Sequence, residues 1–487
     1  MVKEKCGVYA AKCFDGGDVF SNLYWGIVAQ NHRGHESYGF LTFSEGFRRY
    51  VDLGLVPRIE REEFLRWKIL LPGSVGIAHV RYGTSGKRDL YSHLKDAQPI
   101  ITAKGRKRIG MAYNGNLVNV GWLKEEITSK GIKLKTTSDT ELLSRYLLEK
   151  CESGLIDGIR ACMEDVEGAY SVVGLDSNGT LFAFRDPLGM RPLFYGSEGS
   201  VMAVSSESVG LNINEIRMIG EIEPGEALIF GKESLERVRV VKRERRAFCG
   251  FEFSYFMRPD SVVNGRFVYK IREDLGRRLG RRYREFVDRA DVIISIPETA
   301  DDAAYGLHEE TGIRWERMLR RHRFVTHRAF IMDPTERVST IDRKINVLNG
   351  NLQGKTVIVV EDSIVRGDTT KTVIRKLRES GAEKVYIFVT FPRITHPCFY
   401  GIDMATFSEL IGFFYDERGI AEKIGADAVC YQTIEDFVDA TGMRREDLCM
   451  ACTTGTYPTE LAQKIADRVK TRLEVKDGSR IYERVEV

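Results

Sequence analysis

Several things this chain lacks limit what it can be. No apolar run is long enough to cross a membrane, and the opening Met-Val-Lys-Glu-Lys has no signal-peptide character, so the expected setting is the cytoplasm. Neither sign of charge dominates: 73 Lys plus Arg stand against 70 Asp plus Glu, a net charge of +3, which argues against a general nucleic-acid binder. Internal repeats and low-complexity tracts are absent, which excludes solenoids and disordered linkers. Cysteine is too sparse for a disulfide framework, with 9 in 487 residues, so the thiols are read as nucleophiles, metal ligands or core residues. Cys13, Cys151, Cys162 and Cys430 fall in no motif and read as core.

A chain of 487 residues with 43% hydrophobic content has ample core for two or more domains. Mixed strands and helices run to about Arg239, and the charged stretch Val240 to Arg246 reads as a link. Beyond it, strand and helix alternate: Asp291 to Ile296, Asp301 to Thr311, Thr356 to Val360, Lys371 to Arg378 and Lys384 to Phe391. Such alternation predicts a parallel sheet with crossover helices. The tail from Pro458 to Val475 has amphipathic helical spacing. Two arginine groups, Arg277 to Arg284 and Arg317 to Arg323, read as solvated helix faces, with anion binding as the alternative.

The most informative segment is Thr356-Val-Ile-Val-Val-Glu361-Asp362-Ser363-Ile-Val365-Arg366-Gly367-Asp368-Thr369-Thr370. A β-branched apolar run covered on both faces leads into two acids, a loop of small residues and a helix start. Ligands bind at the carboxyl ends of such strands, where helix-opening N–H groups meet an anion. Glu361 and Asp362 can hold ribose hydroxyls or a hard cation such as Mg²⁺. The plain alternative is a capped helix. This loop resembles the phosphoribosyl-diphosphate (PRPP) loop of type I phosphoribosyltransferases, and most closely that of the amidophosphoribosyltransferase family, glutamine-dependent enzymes that open purine synthesis. The resemblance assigns PRPP to Glu361, Asp362, Ser363, Val365, Arg366, Gly367, Thr369 and Thr370, and Mg²⁺ to Glu361, Asp362 and Thr299.

The amino-terminal half carries a second resemblance. Cys6-Gly-Val, His32-Arg-Gly-His35-Glu-Ser, His79-Val-Arg81-Tyr-Gly-Thr84, Tyr113-Asn114-Gly115-Asn116 and Ser138-Asp139-Thr-Glu follow the order of class II glutamine amidotransferases, which are N-terminal-nucleophile hydrolases. Taken alone, Cys6 would be a buried strand residue, Asn114-Gly115 a hairpin turn, Asp139 a helix cap and Arg81 a surface charge. The resemblance implies instead that Met1 to Lys5 form a propeptide whose removal frees Cys6. The thiol would then attack the glutamine amide with its own α-amine as base. Asn114 and the Gly115 N–H would stabilise the oxyanion. Arg81 would clamp the glutamine carboxylate and Asp139 the ammonium, with Thr84 beside them.

Four further thiols form a third constellation. Cys449 and Cys452 lie three apart, while Cys249 and Cys398 are distant; four thiolates suit either zinc or an iron–sulfur cluster. Their segments resemble those of the family members that carry a [4Fe-4S] centre. The overall expectation is an α+β N-terminal-nucleophile domain (αββα sandwich) over 6–239. An α/β type I phosphoribosyltransferase domain with a parallel sheet follows over 247–487. The reaction implied turns glutamine and PRPP into phosphoribosylamine, glutamate and pyrophosphate, in a homo-oligomer, dimer or tetramer, under purine-nucleotide feedback. Tyr255, Arg258, Asp260 and Ser261 match a stretch near the junction of the two sites. Departures from the family pattern are Asp368 in the loop, Pro297-Glu298-Thr299, one extra residue in Arg323 to Arg328, and His35. They leave room for a paralogue with altered donor or acceptor, or for a regulator without activity.

Overall fold

The structure is a computed structural model describing residues 6–82, 90–232, 234–242, 245–321, 345–348 and 352–470. The expected propeptide Met1 to Lys5, Thr84, the stretch Arg323 to Arg328 and the tail after Lys470 lie outside the described residues.

Among the described residues, thirteen strands build the amino-terminal half: β1 (Gly7–Cys13), β2 (Ser37–Phe43), β3 (Phe47–Leu53), β4 (Val75–Arg81), β5 (Ile100–Lys104), β6 (Lys107–Leu117), β7 (Gly168–Asp176), β8 (Leu181–Arg185), β9 (Phe194–Glu198), β10 (Val201–Ser205), β11 (Arg217–Glu221), β12 (Glu226–Phe230) and β13 (Leu235–Arg239). They form two antiparallel sheets, ordered β11-β9-β10-β1-β4-β2-β3 and β13-β12-β8-β7-β6-β5. The sheets stack face to face, and period-two alternation explains why. In β1, Val8 and Ala10 enter the core between the sheets, while Tyr9, Ala11 and Cys13 turn to the other face. There the helix Phe20–Val28 covers β1 and β4, and on the outer face of the second sheet the helix Asp139–Lys150 covers β5 and β6. The result is the αββα layering expected.

The carboxyl-terminal half holds a four-stranded parallel sheet, ordered Val292–Ser295, Thr356–Glu361, Lys384–Val389 and Ala428–Tyr431. Its strands are buried on both faces, as their unbroken apolar runs require. The helix Asp301–Thr311 leaves the first strand, and Asp368–Glu379 leaves the second through the loop singled out above. The arginine-rich helix Val268–Arg282 is a solvated face: Arg277, Arg278 and Arg281 pair with Glu273 and Glu309, Asp274 and Asp436, and Glu310.

The halves share cores. One cluster joins Tyr9 and Phe20 to Phe248, Phe251 and Phe391, and another joins Val118, Ala169 and Met190 to Phe399, Tyr457 and the helix Glu460–Lys470. Among the described residues no helix is long and apolar enough to cross a membrane.

Candidate active sites

Cys6 stands at the mouth of β1, buried, with its Sγ against the backbone of Tyr82: the Tyr82 N–H donates to it at 3.5 Å and the Tyr82 carbonyl lies 3.6 Å away. Its position follows from register, because β1 pairs with β4 and Gly7 lies opposite Val80. Arg33 Nε donates to the Cys6 carbonyl at 2.9 Å, fixing the residue from the other side. His35, the departure noted above, sets its ring edge-on to Tyr82 with centroids 5.0 Å apart.

Asn114 and Gly115 do not form a hairpin turn. They lie inside β6, opposite Ser171 and Tyr170 of β7, because the strand continues to Leu117. Gly115 has φ +154°, and a β-carbon there would come within 1.8 Å of the Ala169 carbonyl, so only glycine fits. Ser206 joins the two strands: its Oγ accepts from Val8 N–H at 3.0 Å and from Asn114 Nδ2 at 3.5 Å. One hydroxyl thus spans the nucleophile strand and the strand of the oxyanion candidates.

Arg81 is no surface charge. It is buried at the end of β4, 3.8 Å from Asp96. Asp96 in turn accepts from the Thr137 N–H and hydroxyl at 2.8 and 2.6 Å. Asp139 is not the helix cap; Ser138 is, accepting from the Thr140 N–H, while Asp139 is buried and accepts from the Tyr113 hydroxyl. His79 is pushed down to about 3 by burial and by Arg81, and therefore stays neutral under this pocket.

In the second half, Glu361 ends its strand and Asp362 follows, both buried. Burial pushes both carboxyls up, and Asp362 adds to the rise at Glu361. Thr299 donates to Asp362, Ser363 Oγ donates to it at 2.6 Å, and Thr370 Oγ1 reaches Glu361 at 3.4 Å. Gly367 takes the left-handed conformation, φ +84°, that turns the loop into the helix Asp368–Glu379. The buried Thr369 hydroxyl at that helix start has no hydrogen-bond partner among the described residues. Arg366 pairs with Glu409, Val365 is buried, and Asp368 is exposed.

The four motif cysteines, 249, 398, 449 and 452, line one cavity together with Arg191, Tyr400 and Tyr457. The short parallel pairing of Phe248–Cys249 with Leu448–Cys449 brings two of them side by side. Burial pushes the Cys398 thiol up to about 12, with Cys249 adding to the rise. Cys13, Cys151, Cys162 and Cys430 are buried core residues, and none of the nine cysteines is in a disulfide.

Sequence reasoning missed the buried charge network between the halves. Arg33 makes paired contacts to Glu252 at 3.0 and 3.1 Å and a further one to Glu207. Glu252 also accepts from Arg191 at 3.0 Å. Glu207 accepts from His32, from the Arg258 N–H and from Ser261. Burial alone would raise both carboxyls, but His32 and Arg33 hold Glu207 well below the usual range, and Arg33 with Arg191 lowers Glu252.

Comparison with known proteins bears on this geometry. A glutamine amidotransferase domain family matches residues 88–212. The amidophosphoribosyltransferase of Methanothermobacter thermautotrophicus is 35% identical, covering 96% of this chain and 97% of that protein. That of Bacillus subtilis is 33% identical, over 95% and 96%. Among solved structures, the B. subtilis glutamine PRPP amidotransferase complexed with ADP and GMP superposes with a TM-score of 0.84 at 31% identity, covering 94% of this chain and 98% of that one. An allosteric regulatory enzyme of purine biosynthesis also gives 0.84, at 30% identity over 99% of each chain.

Proposed function

We propose site roles from one established premise: this chain belongs to the amidophosphoribosyltransferase family, glutamine-dependent transferases of purine synthesis. The reaction joins the nitrogen of glutamine to the phosphoribosyl group of PRPP, giving phosphoribosylamine, glutamate and pyrophosphate. What supports the residue assignment is a set of buried links: Cys6 against Tyr82, next in sequence to buried Arg81, and the Ser206 hydroxyl joining Val8 beside the nucleophile to Asn114.

In this reading the Cys6 thiol attacks the glutamine amide carbon and its α-amine takes the proton. Asn114 Nδ2 and the Gly115 N–H face the oxyanion, and one such donor is worth about 10²–10³ in rate. Arg81 holds the glutamine carboxylate as a bidentate donor, with Asp96 orienting its guanidinium, and Asp139 takes the ammonium. Thr84, outside the described residues, keeps its place as a glutamine contact by resemblance.

PRPP is assigned to the loop from Glu361 to Thr370. The unpartnered Thr369 hydroxyl and the helix-opening N–H groups supply donors for its 5′-phosphate. Glu361 and Asp362, with Thr299, fit Mg²⁺, which binds through one or two carboxylates plus substrate phosphates and would supply charge neutralisation to the leaving pyrophosphate. Among the described residues no three His, Cys, Asp or Glu converge on a single-ion site. The four cysteines line one cavity, and their segments resemble those of family members that carry a [4Fe-4S] centre, which favours a cluster over one zinc ion. A cluster held by Cys249, Cys398, Cys449 and Cys452 would tie together the segments that carry them. ADP and GMP on the B. subtilis relative support purine nucleotides as regulators here, and a cytoplasmic homo-oligomer is our reading of the assembly. Supplying purified protein with glutamine, PRPP and Mg²⁺ tests the reaction: glutamate and pyrophosphate should appear together, and no glutamine consumption would overturn it.

A further inference from the structure

The segment carrying Cys398 serves two places at once. Cys398 faces the thiol-lined cavity, while the residues after it lie along the end of β6. The Phe399 carbonyl accepts from Asn116 Nδ2 at 2.9 Å, across 283 residues of chain. Gly401, at φ +103°, sits so close that a β-carbon there would be 3.5 Å from the Gly115 carbonyl carbon, 3.4 Å from Asn116 Cβ and 2.9 Å from Arg191 Nη2. Gly115, pressed against Ala169 on its other flank, therefore lies between β7 and the Cys398 segment. A second tie runs in parallel: Arg191, also lining the cavity, donates to the Tyr400 carbonyl at 2.9 Å and to Glu252 at 3.0 Å. Glu252 in turn holds Arg33, which holds the Cys6 carbonyl.

We propose that Asn116 is a positioning residue for glutamine hydrolysis: its amide fastens the Gly115 peptide to the Cys398 segment, so that order at the four-cysteine cavity sets the geometry of the oxyanion donors. The inference rests on the assignment of Cys6 and Gly115 given above. The physical case is one of tolerance. Asn116 is buried, and a second bond from its amide, to the Leu117 carbonyl at 3.1 Å, is local to β6. The bond to Phe399 ties this stretch directly to the other half. A displacement of about 1 Å at a reacting centre costs about 10²-fold in rate, while ground-state binding of the substrate's distant charged ends is little affected.

The test uses the full-length, cluster-loaded enzyme with Asn116→Ala and, to keep side-chain volume, Asn116→Asp, which turns an acceptor toward the Phe399 carbonyl. The readouts are kcat and KM for glutamine, PRPP-dependent synthesis from ammonium chloride, iron content, and deuterium exchange of the peptide spanning residues 112–118. Expected for both variants is a kcat with glutamine lower by about 10- to 100-fold. KM should stay within about threefold, ammonium-driven synthesis within about twofold and iron content unchanged, with faster exchange over 112–118. Glutamine kcat within twofold of the parent, or an equal fall of both activities, overturns the proposal. An unsubstituted enzyme that consumes no glutamine would instead overturn the reading on which it rests.

Discussion

Replacing Glu252 by Gln is expected to damage the protein far more than the loss of one surface charge would. Glu252 is fully buried at the seam between the halves, with Arg33 making paired contacts and Arg191 a third. Neither guanidinium can shed its proton, so neutralising the carboxylate strands buried positive charge. Breaking one partner of such a pair costs about 3–5 kcal/mol, and because the amide oxygen still accepts a hydrogen bond, about 3 kcal/mol is expected. Arg33→Met removes the other partner, yet leaves Glu207 with His32 and Glu252 with Arg191, for a similar loss. The double variant removes the mutual mismatch, so its cost should fall short of the sum by about 2 kcal/mol. Equilibrium urea unfolding followed by tryptophan fluorescence at pH 7 gives the four corners of this cycle. A coupling under about 0.5 kcal/mol would refute the claim that these two residues act as one unit.

Four other outcomes follow. Cys6→Ala should abolish synthesis with glutamine while leaving ammonium-driven synthesis intact, and equal loss of both would contradict separate sites. Arg81→Lys, which gives up bidentate geometry, should raise KM for glutamine about tenfold or more with a smaller change in kcat, read from initial rates. Because the folded-state pKa values of Glu207 and Glu252 are depressed, their stabilisation is present above the unfolded value of about 4.3 and is lost as pH falls below it; unfolding curves of Glu207→Gln should be flatter in that range than those of the parent. Asp368→Thr should strengthen PRPP binding less than threefold at 0.15 M salt, since the carboxylate is exposed and screened, and a larger gain would show that it faces the phosphate.

How much of this was readable beforehand depended on whether the signal was local. The strand Thr356–Glu361 and the helix Asp301–Thr311 declare themselves through apolar runs and periodicity, and both sit within a residue of expectation. Asn114-Gly115 misleads when read alone, because the dipeptide favours turns and only the pairing with β7 keeps it in a strand. Asp139 likewise reads as a cap until Ser138 is seen to fill that role. Glu207, Glu252, Arg191 and Ser206 carried no local signal: their partners lie 61 to 219 residues away, and a single buried acid looks like any surface acid in one sequence. Arg33 lay within a quoted motif, yet nothing in its neighbours indicates that it holds the Cys6 carbonyl.

The charge seam also limits how such a chain can be recombined. Residues 6–239 expressed alone would expose Arg191 without its acid and leave Arg33 with half of its contacts. Exchanging one half for that of a distant homologue would transplant a glutamate away from the cations it answers. The two activities therefore cannot be traded as independent cassettes: any viable chimera has to inherit Arg33, Arg191 and Glu252 from one parent.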